Sequence, residues 1–180
     1  MKTKSNIRWI IKIVLISIAS SVAFTLATAE ILGRSGFIIS FAMLAVFIVI
    51  GIIFDMIGLA VATSTEAPFH SMAAHRERGA TESLRLIKNA DKVTSFCNDV
   101  VGDVTGIISG MTAALIAARL MEGFSSESLL FPLTISAAVT GFTVGGKAVG
   151  KAFTFNNNIV IVLRVGKIIN FFRFRSKSKK

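Results

Sequence analysis

The sequence predicts an all-α, polytopic membrane protein with about four transmembrane helices, a cytoplasmic juxtamembrane helical hairpin and a C-terminal interfacial helix. Of its 180 residues, 53% are hydrophobic and the mean hydropathy is +0.71, which is more apolar than a soluble domain of this size normally is. The apolar residues form long runs, and the basic residues behind the net charge of +10 cluster beside those runs. Because no groove-reading motif or aromatic–basic interleaving occurs, we expect a lipid bilayer as partner and no nucleic acid.

The first apolar run extends from Trp9 to Leu32, and we assign residues 1–36 to an additional N-terminal transmembrane helix. The tripeptide 27–29, Ala-Thr-Ala, is similar to a signal-peptide cleavage site. A run of more than about 20 residues is nevertheless longer than the apolar segment of a typical signal peptide. We therefore expect this segment to be retained as a membrane span.

The second run, from Phe37 to Ala62, opens the main domain, residues 37–180. It is interrupted by Asp55 and is long enough to cross a hydrocarbon core of about 30 Å. The polar stretch that follows predicts a juxtamembrane hairpin over residues 64–91, lying at the membrane surface.

The hairpin has its own start and turn signals. Gly79 divides it into two short amphipathic helices. Thr63 or Thr65 is expected to cap the first of them, and Pro68 fits its first turn.

Two further runs and a tail complete the predicted topology. The third run extends from Val93 to Met121, and the fourth, shorter run from Leu129 to Gly146. Basic residues interrupt the segment 159–172, which predicts a helix lying in the membrane interface. The basic tail, residues 173–180, is expected to lie against anionic lipid.

The positive charges predict the orientation of these spans. With four crossings, 18 of the 20 basic residues fall on one side, and Arg34 and Arg119 fall on the other. Basic residues favour the cytoplasmic side. We therefore expect a cell-membrane protein with cytoplasmic N- and C-termini.

Three acids stand inside apolar runs: Asp55, Asp99 and Asp103. A charged Asp at the centre of a span costs about 2.5–3.5 kcal/mol on insertion scales. Asp99 and Asp103 are four residues apart, on one face of a helix, so a cation must approach them or one must hold a proton. A salt bridge to a lysine, a helix–helix hydrogen bond, a cation site and a proton or Na⁺ pathway built on all three acids remain open.

Other residue patterns bear on the class of protein. There is no Ser-His-Asp order, cysteine cluster, phosphate loop or HExxH motif, so an enzyme is not expected. Cys97 is expected to be a helix-packing residue. Glycines at positions 102, 106 and 110 form a small-residue ridge that predicts close helix contacts and a homodimer.

Three segments resemble the transmembrane domain of the CorB/CorC and cyclin-M (CNNM) family of magnesium transport proteins. TSTEAPFHSMAAHRERGATESLRLIKNADKV is similar to the family's small-Ser-Glu-Thr-Ala entry into two juxtamembrane helices. FCNDVVGDVTGIIS is similar to its Gly-Asn-Asn helix start, and GKAVGKAFTFNNNIVIVL stands at its Gly-Glu-x-x-Pro-Lys turn. The likeness covers roughly residues 45–170, by order and spacing more than by identity. It implies a dimeric membrane domain that binds Mg²⁺ through hydroxyl, amide and Glu oxygens and is thought to exchange it for Na⁺.

The resemblance implies a set of metal ligands in this chain. The hydroxyl ligands would come from Ser64, Thr65 or the preceding Thr63, in the segment that also holds Glu66, and the amide ligand would be Asn98.

The chain departs from the family pattern at three positions. Gly102 stands where the family has a second Asn, Lys147 where it has the Glu of the turn, and Gly150 where it has the Pro. Either Asp99 and Asp103 rebuild the cation site, or Lys147 fills it as a tethered cation.

The resemblance therefore implies a minimal CorB-like transporter of divalent cations, with Mg²⁺ as its ion. The alternative is a non-transporting homologue that acts as a membrane scaffold or regulatory partner of another membrane protein. Because the family's nucleotide-binding CBS domains have no counterpart in this sequence, nucleotide regulation within the chain is not expected.

Overall fold

The computed structural model describes residues 3–34, 36–124 and 130–177, and all regular structure within these ranges is helical. The predicted all-α class is confirmed there. In chain order the elements are α1 (Thr3–Arg34), α2 (Phe37–Thr63), α3 (Ala67–Ala74), α4 (Ala80–Lys88), α5 (Ala90–Ser95), a π-helix (Phe96–Gly102), α6 (Asp103–Phe124) and α7 (Leu130–Lys177).

Four helical segments are long and apolar enough to cross a membrane, in agreement with the four predicted runs. Many of their large apolar side chains face outward, and Ile38 is 83% and Phe142 78% exposed. A surface of this kind suits hydrocarbon better than water. The segments are Trp9–Glu30, Phe37–Thr63, Ala90–Met121 and Pro132–Arg173.

The last helix, α7, is longer than the fourth predicted run. Its 48 residues continue through Lys147, and non-helical dihedral angles occur at Asn157 (φ −130°, ψ 21°). Beyond this kink, residues 158–177 pack against α4. The kink divides α7 into two helices, and the second contains the segment 159–172 that the sequence predicts as a C-terminal helix; its position in a membrane interface stays a prediction. The last three residues of the predicted basic tail, 178–180, lie outside the described residues.

Helix α2 lies at the centre of the bundle, where it contacts α7, α6, the π-helix and α5. Gly146 and Gly150 of α7 lie against Ile52 and Met56 of α2, and both helices increase in number in the same direction, so they run parallel. The π-helix and α6 run antiparallel to α2. Helix α1 packs at the edge, mainly against α6 and the π-helix. These directions fit a chain that alternates across a membrane.

Helices α3 and α4, together with residues 158–177 of α7, form a unit that we call the clamp. Its apolar core joins the end of α2 to the hairpin and to α7. The hairpin is therefore packed on the bundle as well as amphipathic, and its helices position the end of α2. The buried residues of this core are Ala60, Val61, Phe69, Ile87 and Val162.

The start and turn signals of the hairpin are only partly as predicted. Gly79 separates α3 from α4 in the left-handed conformation (φ 85°), and Pro68 lies in the first turn of α3. The predicted caps are wrong. Glu66 precedes α3 without a side-chain cap, and the Thr63 hydroxyl donates back to Leu59 O at 2.9 Å.

Candidate functional site

A close contact between α2 and the π-helix is made possible by glycine on both sides. A Cβ atom at Gly58 would overlap the side-chain oxygen of Asn98, and one at Gly102 would overlap the carboxylate of Asp55. We call these four residues the seam. The Thr94 hydroxyl donates to Gly58 O at 3.1 Å and fixes the backbone beside it.

The π-helix sets the direction of the seam's side chains. Its wider turn is visible in the hydrogen bond from Asp103 N to Asn98 O, five residues back. Asn and Gly weaken a regular α-helix, and short π segments recur at functional sites. In this segment Asn98 faces α2, whereas the next residue, Asp99, is exposed.

An ion pair crosses from α7 into the seam. Lys147 Nζ lies 2.9 Å from Asp55 Oδ2, and the side chains are 24% and 12% exposed, respectively. The other oxygen, Oδ1, lies against Gly102. Both oxygens of this carboxylate are therefore enclosed, and its charge is balanced by one ammonium group.

Two buried oxygens have no hydrogen-bond partner among the described residues: Asn98 Oδ1 in the π-helix and Ser64 Oγ just after α2. A buried polar atom left unpaired costs about 1–3 kcal/mol, so each needs an explanation. Both are neutral oxygens of the kind that coordinate hard cations. Asn98 is the position at which the family resemblance implies an amide ligand, and Ser64 is one of the three positions at which it implies a hydroxyl ligand.

Ser64 owes its position to the way α2 ends. Its backbone is extended (φ −82°, ψ 143°), and its N–H still donates to Ala60 O at 3.1 Å. The carbonyl of the preceding residue, Thr63, accepts a hydrogen bond of 3.2 Å from Asn158 Nδ2, just after the kink of α7. The end of α2 is thus held by α7.

The other predicted ligands do not join Asn98 and Ser64 in the interior. Thr65 is exposed, and Glu66 Oε2 lies 3.2 Å from His70 Nε2 at the surface. Asp99 and Asp103 are exposed as well, and no hydrogen bond or ion pair links either carboxylate to the described part of the chain. Neither carboxylate takes part in the contacts that define the seam.

Lys147 is paired with Asp55, and neither Asp99 nor Asp103 forms an ion pair with it among the described residues. The reason is the parallel packing of α7 on α2, in which Gly146 and Gly150 allow close approach beside Ile52 and Met56. Within the described ranges, no three His, Cys, Asp or Glu side chains are grouped as a metal site.

Sequence reasoning missed three residues that shape this region: Gly58, Gly102 in its role opposite Asp55, and Asn158. Gly51 and Gly58, seven residues apart, mark one face of α2, and that spacing is a signal that could have been found. The hydrogen bond from Asn158 to Thr63 joins residues 95 positions apart, and no local pattern announces it.

Comparison of this chain with protein-family models, with curated proteins and with solved structures finds no match.

Proposed function

We propose that this chain is a multi-pass membrane protein that binds and transports a hard divalent cation, Mg²⁺, in the manner of the CorB/CNNM family. One observation supports the proposal most. Asn98 Oδ1 and Ser64 Oγ, which are buried and have no partner in the described part of the chain, come from the residue that the resemblance implies as the amide ligand and from one of the three that it implies as hydroxyl ligands. Mg²⁺ prefers oxygen ligands and retains several waters, so the protein need not supply a complete shell.

In the proposed arrangement, a cell-membrane protein has both termini in the cytoplasm. The reason is that 18 of the 20 basic residues lie on the same side as the termini, and basic residues favour the cytoplasmic side. The seam then lies on the cytoplasmic half of α2, between Asp55 and the end of the helix at Thr63. The ion is the substrate, and exchange for Na⁺ is part of the proposal. The family resemblance also suggests a homodimer.

The test is the Mg²⁺ dependence of thermal unfolding in detergent. A ligand that binds the native state at ten times its Kd stabilises it by ~1.4 kcal/mol. We expect millimolar Mg²⁺ to raise the Tm of the wild type and Asn98→Ala to abolish the rise. Asp99→Asn is the matched control, because this neighbouring side chain is exposed and should leave the Mg²⁺ effect unchanged. A rise that survives Asn98→Ala but disappears in Asp99→Asn would contradict the assignment of the site to the seam.

A second candidate function is a membrane scaffold or regulatory partner that no longer transports. The Asp55–Lys147 ion pair favours it, because the lysine stands at the position of the family's glutamate ligand and brings a positive charge into the bundle. A wild type whose Tm does not respond to Mg²⁺, together with a destabilised Lys147→Met variant that Mg²⁺ does not rescue, would select this candidate.

A further inference from the structure

The ion pair between α2 and α7 is one helical turn from the proposed amide ligand. Asp55 precedes Gly58 by three residues, and Gly58 touches Asn98. Asn98 in turn precedes Gly102 by four residues, and Gly102 touches Asp55. Three residues of α-helix rise by about 5 Å. A cation on Asn98 Oδ1 would therefore feel both the Asp55 carboxylate and the Lys147 ammonium strongly.

We propose that Lys147 is a built-in competitor of the transported cation: its ammonium occupies the one carboxylate of the seam, and a metal ion can use that carboxylate only when Lys147 leaves it. This inference rests on the proposed function and assigns a regulatory residue to the same site.

The charges of the seam lead to this conclusion. With Lys147 in place, Asp55 is already neutralised, so an entering divalent cation meets only neutral oxygens and a nearby positive charge. With Lys147 withdrawn, the same cation meets a bare carboxylate beside Asn98. Because unlike charges attract strongly where water is scarce, the position of the ammonium controls the affinity for the ion.

The Lys147 side chain also has room to leave the Asp55 carboxylate. Its side chain is twice as exposed as that of Asp55, 24% against 12%, and a lysine ammonium is a compact charge on a flexible stem. Lys151, one turn further along α7, is exposed and has no ion pair to the described residues. A lysine side chain on this stretch of α7 can therefore point away from the seam.

The experiment is a Mg²⁺ titration of purified full-length protein in detergent, with Kd measured by calorimetry and by the Tm shift. We expect Lys147→Met to bind Mg²⁺ about tenfold more tightly or better. Lys147→Arg, which keeps the positive charge and grips a carboxylate with two donors, should bind more weakly than the wild type. Lys151→Met is the matched control and should keep the wild-type Kd. The double variant Asp55→Asn/Lys147→Met should lose the gain of Lys147→Met.

Each outcome separates this inference from the proposed function. A wild type that binds Mg²⁺ with an affinity unchanged in Lys147→Met would overturn the competitor role and leave the cation site standing. Absence of binding in the wild type and in Lys147→Met would overturn both. If Lys147→Met does not fold, Lys147→Arg decides, and a wild-type or higher affinity in that variant would contradict the competitor role.

Discussion

The seam and the clamp both contain buried polar groups, but the hydrogen bonding of these groups differs between the two regions. In the clamp, the buried Ser83 hydroxyl has two acceptors, Gly79 O at 2.9 Å and Val162 O at 3.1 Å. In the seam and at the adjoining end of α2, Asn98 Oδ1 and Ser64 Oγ have none among the described residues. Satisfied polar groups hold elements together, whereas unsatisfied ones mark a place where a ligand would be stabilising.

The charged groups of the two regions differ in the same way. The ion pairs of the clamp are Lys167 with Glu77 at 3.2 Å and Arg173 with Glu82 at 3.5 Å. Both basic side chains are about half exposed, although the Glu82 side chain is only 11% exposed. Such pairs contribute little to stability. The Asp55–Lys147 pair is largely enclosed, so removing one partner has a large effect. The ion pairs of the clamp therefore add little to its stability, whereas the enclosed carboxylate of the seam depends on Lys147 to neutralise its charge.

The largest effect is expected when Lys147 is removed in the absence of metal. Lys147→Met leaves an enclosed, unpaired carboxylate and should destabilise the fold by about 3–5 kcal/mol, measured by thermal unfolding in EDTA. Restoring the family's ligand with Lys147→Glu should give a protein that depends on Mg²⁺ for stability. Lys167→Met is the matched control in the clamp and should change stability by about 1 kcal/mol or less. Equal effects of the two Met variants would remove the distinction between the regions.

The turn of the clamp should be the next most sensitive position. Gly79 has a φ of 85°, and a Cβ there would lie 2.5 Å from Lys167 N. Gly79→Ala should therefore destabilise the protein by about 1–2 kcal/mol from the backbone alone, with the steric conflict in addition. Gly36→Ala is the control, since a Cβ there meets open space. Circular dichroism melting curves would measure both, and a Gly79→Ala variant as stable as Gly36→Ala would contradict the close contact with α7.

Two buried serines provide a direct comparison of the regions. Ser83→Ala removes hydrogen bonds to Gly79 O and Val162 O and should cost about 1–2 kcal/mol in metal-free buffer. Ser64→Ala removes an oxygen that has no hydrogen-bond partner within residues 3–34, 36–124 and 130–177, and it should change stability by about 0.5 kcal/mol or less, or raise it slightly. The Mg²⁺ effect should follow the opposite pattern, lost in Ser64→Ala and kept in Ser83→Ala. If Ser64→Ala is the more destabilising variant without metal, then Ser64 has a structural role.

The smallest expected change in monomer stability concerns a face that belongs to neither region. Gly106 and Gly110 of α6 face open space, so the predicted small-residue ridge is available to a second copy of the chain. Replacing either by Leu should weaken the dimer in detergent, measured as mass by light scattering, with little effect on the fold of the monomer. Gly141→Leu on α7, which also faces open space, is the control. Unchanged mass for both α6 variants would exclude the ridge from the interface.

Much of the fold could be read along the chain because its signals are local. Length and hydropathy identify a membrane span, and each of the four candidate spans overlaps a predicted run, although the fourth continues well beyond Gly146. The left-handed Gly79 and the early Pro68 are local as well. The packing of the last part of α7 on α4, beyond the kink at Asn157, could not be predicted in this way. It depends on partners some 80 positions away in the sequence.

For the candidate site, the candidate residues could be named from the sequence: the acids inside apolar runs, Asn98, Ser64 and Lys147. Which of them meet became visible only when the helices were packed together. The tertiary structure pairs Lys147 with Asp55, leaves Asp99 and Asp103 exposed, and buries Asn98 Oδ1 and Ser64 Oγ without a hydrogen-bond partner in the described ranges. The physical reason is that residue type fixes charge and hydrogen-bonding capacity, whereas the parallel contact of α7 with α2 and the wider turn of the π-helix fix direction. Both depend on small residues far apart in the chain, whose effect appears only when the helices pack.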